Sequence, residues 1–244
     1  MTATIYQNYI DNAFMPSEQL IEVYNPANAQ LLGRVPESPV EHVERAIAAA
    51  RQAQKGWAAK PAIERAGYLR QIATKVRANA ERLARIITLE GGKVPGLAQV
   101  EVNFTADYLD YMAEWARRLE GEVLTSDRAN EHIFLMRKPL GVVAGILPWN
   151  FPFFLIARKM APALLAGNTI VIKPSEETPI NCYEFAKLVA ETDLPAGVFN
   201  VVGGKGASVG HGLSSHAGID LVSFTGSVAT GARIMAAAAP NITK

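Results

Sequence analysis

Hydrophobic and polar positions change their period along the chain, and the first segment has the pattern of short strands. Residues 5–36 contain brief apolar runs, in "YQNYIDNAF" and "IEVYNPANAQLLGRVP". The sequence "NPAN" at 25–28 supplies the chemistry of a hairpin turn between two of these runs. This segment therefore predicts a small β entry to the fold.

The next segment, from about 40 to 120, repeats its apolar residues every three or four positions, which predicts helices. The helical stretches are 38–59, 61–92 and 100–121. Pro61 is a favourable first residue for the middle helix, and Gly91-Gly92 is a helix-stop signal. We expect three helices here, followed by a two-stranded hairpin over 122–139 ("EVLTSDRANEHIFLMRKP").

From residue 140 onward, strands alternate with helices. The apolar strands are "GVVAGILP", "TIVIKP", "GVFNVV" and "IDLVSFTG". Strands that lack polar alternation indicate a parallel sheet covered on both faces. The predicted fold class is α/β, with a doubly wound, Rossmann-like parallel sheet preceded by a small β entry and helices. Such sheets bind their ligands beyond the carboxyl ends of the strands.

Composition narrows the range of partners and compartments. The chain has 244 residues with 24 lysines and arginines against 23 acids, a formal net charge of +1, so no basic footprint for nucleic acid or anionic lipid stands out. The longest apolar stretch, 141–147, is far shorter than the roughly 18 residues of a membrane span. A single cysteine allows no internal disulfide, and the first residues show no leader-type pattern, so we predict a cytosolic protein.

The loop after the first parallel strand contains Trp149-Asn150, just before a helix predicted to start at Pro152. A side-chain amide at this place could donate a hydrogen bond to an oxygen that becomes negative during a reaction. It could also cap the following helix, a common role of asparagine that the residues alone favour. The residues alone leave both interpretations open.

The second and fourth loops offer groups suited to a nucleotide. Lys173 and Glu176 could bind ribose hydroxyls, and a carboxylate there would repel a 2′-phosphate, although both residue types are common on solvated loops. Gly226 and Ser227 precede a helix, where backbone N–H groups favour a phosphate. Serine at this place is also an ordinary helix N-cap.

The remaining candidates are weaker. In the third loop, Gly204 and Gly206 fit a GxGxxG pattern, but Val209 stands where the third glycine belongs. Cys182 lies one turn into an amphipathic helix, which favours an inert, partly buried thiol. No metal site is predicted, because the histidines lack ligand spacing. They are His42, His132, His211 and His216.

Taken together, these loops resemble a known family. In this order and spacing, "GILPWNFPFFLIARKMAPALLAGNTIVIKPSEETP", "LPAGVFNVVGGKG" and "VSFTGSVATG" resemble the NAD(P)-dependent aldehyde dehydrogenase superfamily, and closely its bacterial lactaldehyde and glycolaldehyde dehydrogenase branch. The resemblance runs from "YIDNAF" and "VYNPAN" through "EGGK" to the last residue. The P-W-N-F-P and K-P-S-E motifs carry most of its specificity.

The resemblance implies a role for each loop. Asn150 would be the oxyanion-hole amide, and Arg158 on the next helix is expected to reach the substrate cavity, which suits small hydroxylated or acidic aldehydes. The implied cofactor is NAD, with NADP less favoured because of Glu176. The residues expected to contact the cofactor are Pro148, Trp149, Lys173, Ser175, Glu176, Gly206, Gly226, Ser227 and Gly231.

In the family reaction, a cysteine thiolate attacks the aldehyde, and a glutamate-activated water later releases the acid. The chain reaches "NITK" without the family's glutamate and cysteine motifs, so we expect the N-terminal half of such an enzyme, inactive alone. The alternatives are a catalytically empty NAD-binding module and a decayed gene product.

The resemblance also implies a division of the chain. The expected parts are a β and helical portion of the dinucleotide-binding domain over 1–121, an oligomerisation-type hairpin over 122–139 and a βαβα core over 140–244. Relatives are expected to be homo-oligomeric, so this chain should associate through 122–139 or aggregate. Its substrate partner would be a small aldehyde.

Overall fold

The computed structural model describes residues 4–244, so residues 1–3 of the predicted first part lie outside the described residues. Strands are numbered along the chain. They are β1 Thr4–Ile5, β2 Asn8–Ile10, β3 Ala13–Met15, β4 Leu20–Tyr24, β5 Leu31–Pro36, β6 Glu122–Thr125, β7 His132–Leu135, β8 Val142–Ile146, β9 Thr169–Lys173, β10 Phe199–Val201 and β11 Leu221–Phe224. The central sheet has the order β11-β8-β9-β10-β2-β3.

The helices surround this sheet. They are α1 Val40–Ala59, α2 Ala62–Ala78, α3 Ala80–Gly91, α4 Pro95–Glu114, α5 Phe154–Leu165, α6 Ile180–Ala190, α7 His211–Ser215 and α8 Val228–Ala238. A π-helical turn over Gly206–Gly210 precedes α7. Of the helices within residues 4–244, none is both long enough and apolar enough to cross a membrane.

The single helix predicted over 61–92 is wrong, because the structure has two helices there. Asn79 leaves the helical conformation with φ −115° and ψ 14°, and its side-chain amide donates to the Lys75 carbonyl at 3.0 Å. Asparagine competes in this way with the backbone for hydrogen bonds. The last of the three predicted helices corresponds to α4. It begins at Pro95, earlier than the predicted residue 100, because proline is well suited to a first helical position.

The parallel part of the sheet confirms the predicted α/β class. Strands β8, β9, β10 and β11 run parallel, and every residue of β8 and β9 is buried. Apolar residues of α1, such as Ile47, pack with Val142 and Val171 on one face. Residues of α5 and α6, such as Met160 and Phe185, share the core of the other face. Two covered faces explain why these strands lack polar alternation.

The β entry contributes directly to the main sheet. The hairpin β2-β3 extends the sheet on the far side of β10 by antiparallel pairing of Tyr9 with Val201. A separate sheet pairs β4 with β5 and β1 with β5. The predicted turn at 25–28 is confirmed, because Ala29 N–H donates to the Asn25 carbonyl at 2.8 Å between β4 and β5.

The predicted hairpin over 122–139 is also confirmed, as the antiparallel pair β6-β7. All eight of its strand residues are exposed. Among its apolar residues, Val123 is 70% exposed and Phe134 is 68% exposed. The hairpin therefore presents apolar side chains to its surroundings rather than to the core.

Candidate functional site

The carboxyl ends of the parallel strands meet at one edge of the sheet. Leu147 N–H donates to the Lys173 carbonyl at 3.0 Å, and Thr225 N–H donates to the Ile146 carbonyl at 3.3 Å. These bonds continue the strand pairing into the loops after β8, β9 and β11, and β10 lies beside β9. The loops singled out in the sequence are thus neighbours, as expected for a doubly wound sheet.

The loop after β8 is held by two side chains from outside the sheet. Trp149 is 60% exposed, Asn150 is also exposed, and Pro148 is half-buried. The Thr178 hydroxyl donates to the Trp149 carbonyl at 3.2 Å, and the Lys93 ammonium donates to the Asn150 carbonyl at 3.0 Å. Backbone carbonyls take up these bonds, so the loop is held while the Asn150 side chain stays free of them.

The helix-cap interpretation of Asn150 is wrong. Helix α5 begins at Phe154, and the backbone N–H groups of Phe153 and Phe154 donate to Oε1 of Glu101 at 2.9 and 3.1 Å. A carboxylate from α4 thus satisfies the start of α5, where the helix dipole favours negative charge. Within the described residues, the side-chain amide of Asn150 makes no hydrogen bond.

A second buried glutamate, Glu90, supports the start of α6. Sequence reasoning missed both Glu90 and Glu101. Glu90 accepts hydrogen bonds from the backbone N–H groups of Ile180 and Asn181 at 2.7 and 2.9 Å. Burial raises the pKa of Glu90 to about 7, although bonds from Asn181 and Ile180 favour the charged form. In the sequence, both carboxylates stand at positions where the helical repeat places apolar residues, and this could have signalled their burial.

The second and third loops are joined by direct hydrogen bonds. Lys173, only 2% exposed, donates to the Pro174 carbonyl at 2.9 Å and to Oε2 of Glu176 at 3.0 Å. Gly206 N–H donates to Oε1 of Glu176 at 3.1 Å, and Ser175 is buried beside them. Burial alone would raise the pKa of Glu176, but the Lys173 ammonium and these bonds outweigh it, so that pKa lies below its ordinary value.

The fourth loop starts α8. Oγ of Ser227 accepts from the Thr230 N–H at 3.2 Å, so the N-cap interpretation is confirmed for this side chain. Gly231 N–H donates to the Ser227 carbonyl at 3.0 Å within the first turn. Gly226 lies against the Phe224 ring, where a Cβ atom would come within 2.4 Å of the ring. A side chain at this position would require the Phe224 ring to move.

Two basic residues follow one another on α5 with opposite environments. Arg158 is exposed, and its charge acts on Tyr108 and Lys159. Lys159 is 7% exposed and donates to the hydroxyls of Ser223 and Thr225 at 3.1 and 3.0 Å. Burial, with a contribution from Arg158, lowers the pKa of Lys159 to about 8. Sequence reasoning missed Lys159, because an isolated lysine in an amphipathic helix gives no signal of its depth.

Cys182 lies in the core, as the sequence indicated. It is 1% exposed and carries a free thiol. Burial raises its pKa well above the ordinary value, which removes the reactive thiolate. Within residues 4–244, no group of three or more histidine, cysteine, aspartate or glutamate side chains is placed to hold a metal ion.

The doubly wound parallel sheet with its loops at the carboxyl edge is the Rossmann-like α/β architecture that the sequence predicted. The aldehyde dehydrogenase family model matches residues 14–244. The chain is 56% identical to lactaldehyde dehydrogenase of Escherichia coli (strain K12) over 238 residues, which cover 97% of this chain and 50% of that protein.

Solved structures agree with the sequence match. The structure of a lactaldehyde dehydrogenase superposes with a TM-score of 0.98 at 55% identity, covering 100% of this chain and 51% of that one. A 3,6-anhydro-L-galactose dehydrogenase in complex with NADP superposes with a TM-score of 0.95 at 39% identity, covering 98% of this chain and 51% of that one.

The chain belongs to the aldehyde dehydrogenase family, a family of NAD(P)-dependent oxidoreductases. This confirms the resemblance found in the loop motifs. The chain spans about half the length of the curated relatives it matches.

Proposed function

We propose that the chain binds NAD at the carboxyl edge of its sheet and contributes this site to the oxidation of small hydroxyaldehydes to acids. The main support is the bonded group of Lys173, Glu176 and Gly206. The Glu176 side chain is 36% exposed, so it offers acceptor positions to the hydroxyls of a ribose. The residues present therefore fit a dinucleotide.

Each loop takes one task in this proposal. Lys173 and Glu176, with Ser175 and Gly206 beside them, bind the adenosine ribose, and a negative carboxylate there disfavours a 2′-phosphate. The start of α8 at Gly226 and Ser227 faces the phosphates with its N–H groups, and Gly231 lies in the same first turn with its own N–H bonded to the Ser227 carbonyl. Pro148 and Trp149 form a wall of the nicotinamide site.

The Asn150 amide is the group closest to the chemistry. It is exposed and free of the helix start, so it can donate to the oxygen of an aldehyde as negative charge develops there. Bound NAD would supply the hydride acceptor. Asn150 acts by holding the developing oxyanion, which requires that its loop stay in one place.

Arg158 is proposed to select substrates that carry hydroxyl or acidic groups. It is exposed on α5, about one turn from the helix start and eight residues past Asn150, and a guanidinium recognises carboxylates through paired hydrogen bonds. A relative at 56% identity is a lactaldehyde dehydrogenase, which fits a small hydroxylated substrate.

If Arg158 has this role, Arg158→Ala should weaken lactate binding to the NAD-loaded chain about tenfold, a loss of about 1.4 kcal/mol. Equal lactate affinity in Arg158→Ala and in the unchanged chain would show that Arg158 does not select the substrate.

The alternative, a module that binds NAD without turnover, is favoured for the chain acting alone. Its single cysteine, Cys182, is buried with a raised pKa and cannot serve as an accessible nucleophile. We therefore expect the chain to reduce no NAD when lactaldehyde or glycolaldehyde is added.

Calorimetry with NAD, together with an NADH assay on the same preparation, tests both statements. Saturable binding without NADH production is the expected result. Absence of binding would overturn the cofactor site. NADH production that survives Cys182→Ser would show that another residue is the nucleophile.

The exposed hairpin β6-β7 is proposed as the surface through which copies of the chain associate. Its apolar residues, with Met136 72% exposed just beyond β7, are unusual for a surface strand pair. A cytosolic location stays a prediction, supported by the free thiol of Cys182.

A further inference from the structure

The segment "EGGK", residues 90–93, belongs to none of the loops at the sheet edge, yet its two charged ends reach them. Lys93 projects from the turn after α3, and its side chain is 16% exposed. Its ammonium donates to the Asn150 carbonyl at 3.0 Å and lies 3.9 Å from the centre of the Phe151 ring. One side chain thus contacts two successive residues of the loop after β8.

Lys93 is itself held by a buried partner. It forms an ion pair with Oε2 of Glu101, whose side chain is 0% exposed. The other oxygen of Glu101 accepts from Phe153 and Phe154. Lys93 and Glu101 therefore fix both ends of the segment from Asn150 to the start of α5. A buried carboxylate with this many donors is strongly oriented.

Glu90 acts on the other side of the same loop. It accepts from the Asn181 side-chain amide at 2.6 Å, and that amide also donates to the Thr178 carbonyl at 2.7 Å. The Thr178 hydroxyl in turn donates to the Trp149 carbonyl. Glu90 thus reaches Trp149 through two hydrogen-bonded residues, while Lys93 reaches Asn150 directly.

We propose that the EGGK segment positions the loop that carries the Asn150 amide, with Lys93 as the positioning residue and Glu101 as its support. The role of the amide in oxyanion binding rests on the proposed function, whereas the positioning of the loop does not. Misplacement of a donor by about 1 Å costs roughly a hundredfold in rate. Lys93, which lies outside the loops at the sheet edge, therefore sets the position of the Asn150 amide.

The test compares Lys93→Met and Lys93→Arg with the unchanged chain by NMR. The readouts are the side-chain amide signal of Asn150 and the hydrogen exchange of the Phe153 and Phe154 N–H groups. In Lys93→Met we expect a shifted Asn150 signal and at least tenfold faster exchange at both N–H groups. Lys93→Arg keeps a cation, so its Asn150 signal and its exchange at Phe153 and Phe154 should stay close to those of the unchanged chain. Lys75→Met, which breaks a surface ion pair with Glu191, is the matched control and should change neither.

Loss of Lys93 alone leaves Glu101 as an unpaired buried charge, which can prevent folding. Lys93→Met combined with Glu101→Gln removes that charge and should still shift the Asn150 signal. An unchanged Asn150 signal with unchanged exchange in either folded variant would overturn the proposal. NAD titration of the same samples separates the two ideas. Failure of the unchanged chain to bind NAD would remove the proposed function and leave the NMR comparison valid.

Discussion

At the residue scale, Glu176 is held by two donors before any ligand arrives. Its oxygens accept from Lys173 and from the Gly206 N–H, and its pKa stays below the ordinary value, so it is negative at neutral pH. Glu176→Gln keeps the shape and removes the charge that would repel a 2′-phosphate. The ratio of NADP affinity to NAD affinity should rise about tenfold, or about 1.4 kcal/mol, in calorimetric titrations.

The matched control for this prediction is the next residue. Glu177 is exposed, and its backbone N–H donates to the Ser175 hydroxyl. Glu177→Gln should leave the affinity ratio unchanged. An unchanged ratio in Glu176→Gln would show that the ribose assignment is wrong, even if NAD still binds.

Lys159 gives a second prediction at this scale, on stability against pH. Its pKa falls from 10.5 to about 8 on folding, so the unfolded chain binds more protons between these values and stability rises with pH in this window. The cost of its buried charge below pH 8 is at most about 3 kcal/mol. In urea unfolding at pH 7, 8.5 and 10, Lys159→Met should lose the rise.

The control variant is Lys55→Met, which changes an exposed lysine of α1. It should keep the same pH dependence as the unchanged chain, because it leaves the buried Lys159 in place. A rise of equal size in Lys159→Met would mean that another group titrates.

At the element scale, α3 supports α6 through Glu90, and this contact should depend on pH. The folded pKa of about 7 exceeds the ordinary value of 4.5, so the folded chain binds more protons between them. Stability should therefore fall as pH rises from 4.5 to 7, by at most about 3 kcal/mol. Glu90→Gln cannot ionise, so its unfolding free energy should lack this fall.

Glu64→Gln is the control, since Glu64 lies on the exposed side of α2 and pairs with Lys60. A fall between pH 4.5 and 7 that persists in Glu90→Gln and disappears in Glu64→Gln would contradict the assignment. Hydrogen exchange at Ile180 and Asn181 would then show whether the start of α6 depends on Glu90 at all.

Elements differ in how far the sequence predicts them. Period and turn residues are local, so the parallel strands, the turn at 25–28 and the hairpin β6-β7 could be predicted. The supports of α5 and α6 could not, because Glu101 and Glu90 lie 52 and 90 residues before the N–H groups they accept from. The helix-cap interpretation of Asn150, one of the two that the sequence left open, is wrong for the same reason, since a distant carboxylate satisfies the start of α5.

At the scale of the whole molecule, the order of loops at the sheet edge follows from topology once the strands are known. Parallel strands with right-handed crossovers place every carboxyl end at the same edge. This is why Lys173, Glu176 and Gly206 could be grouped from the sequence. The pairing of β2 with β10 was not predicted, because it joins residues nearly two hundred positions apart.

The surface of the whole molecule gives the last prediction. Val123 and Phe134 of the hairpin β6-β7, and Met136 just beyond it, are 68 to 72% exposed, and an exposed apolar strand pair favours association. Phe134→Glu combined with Val123→Lys should weaken self-association at least tenfold in sedimentation equilibrium, since charges on this surface oppose burial. The unfolding midpoint of the monomer should stay within a few degrees, because these side chains contribute nothing to the core.

Val228→Lys on α8 is the control, because Val228 is 91% exposed at a different place on the surface. It should leave the association constant unchanged if the hairpin is the contact surface. Equal weakening by both variants would indicate general loss of apolar surface rather than a defined contact. Weakening by Val228→Lys alone would move the contact to α8, beside the proposed phosphate end of the cofactor site, and NAD would then compete with association.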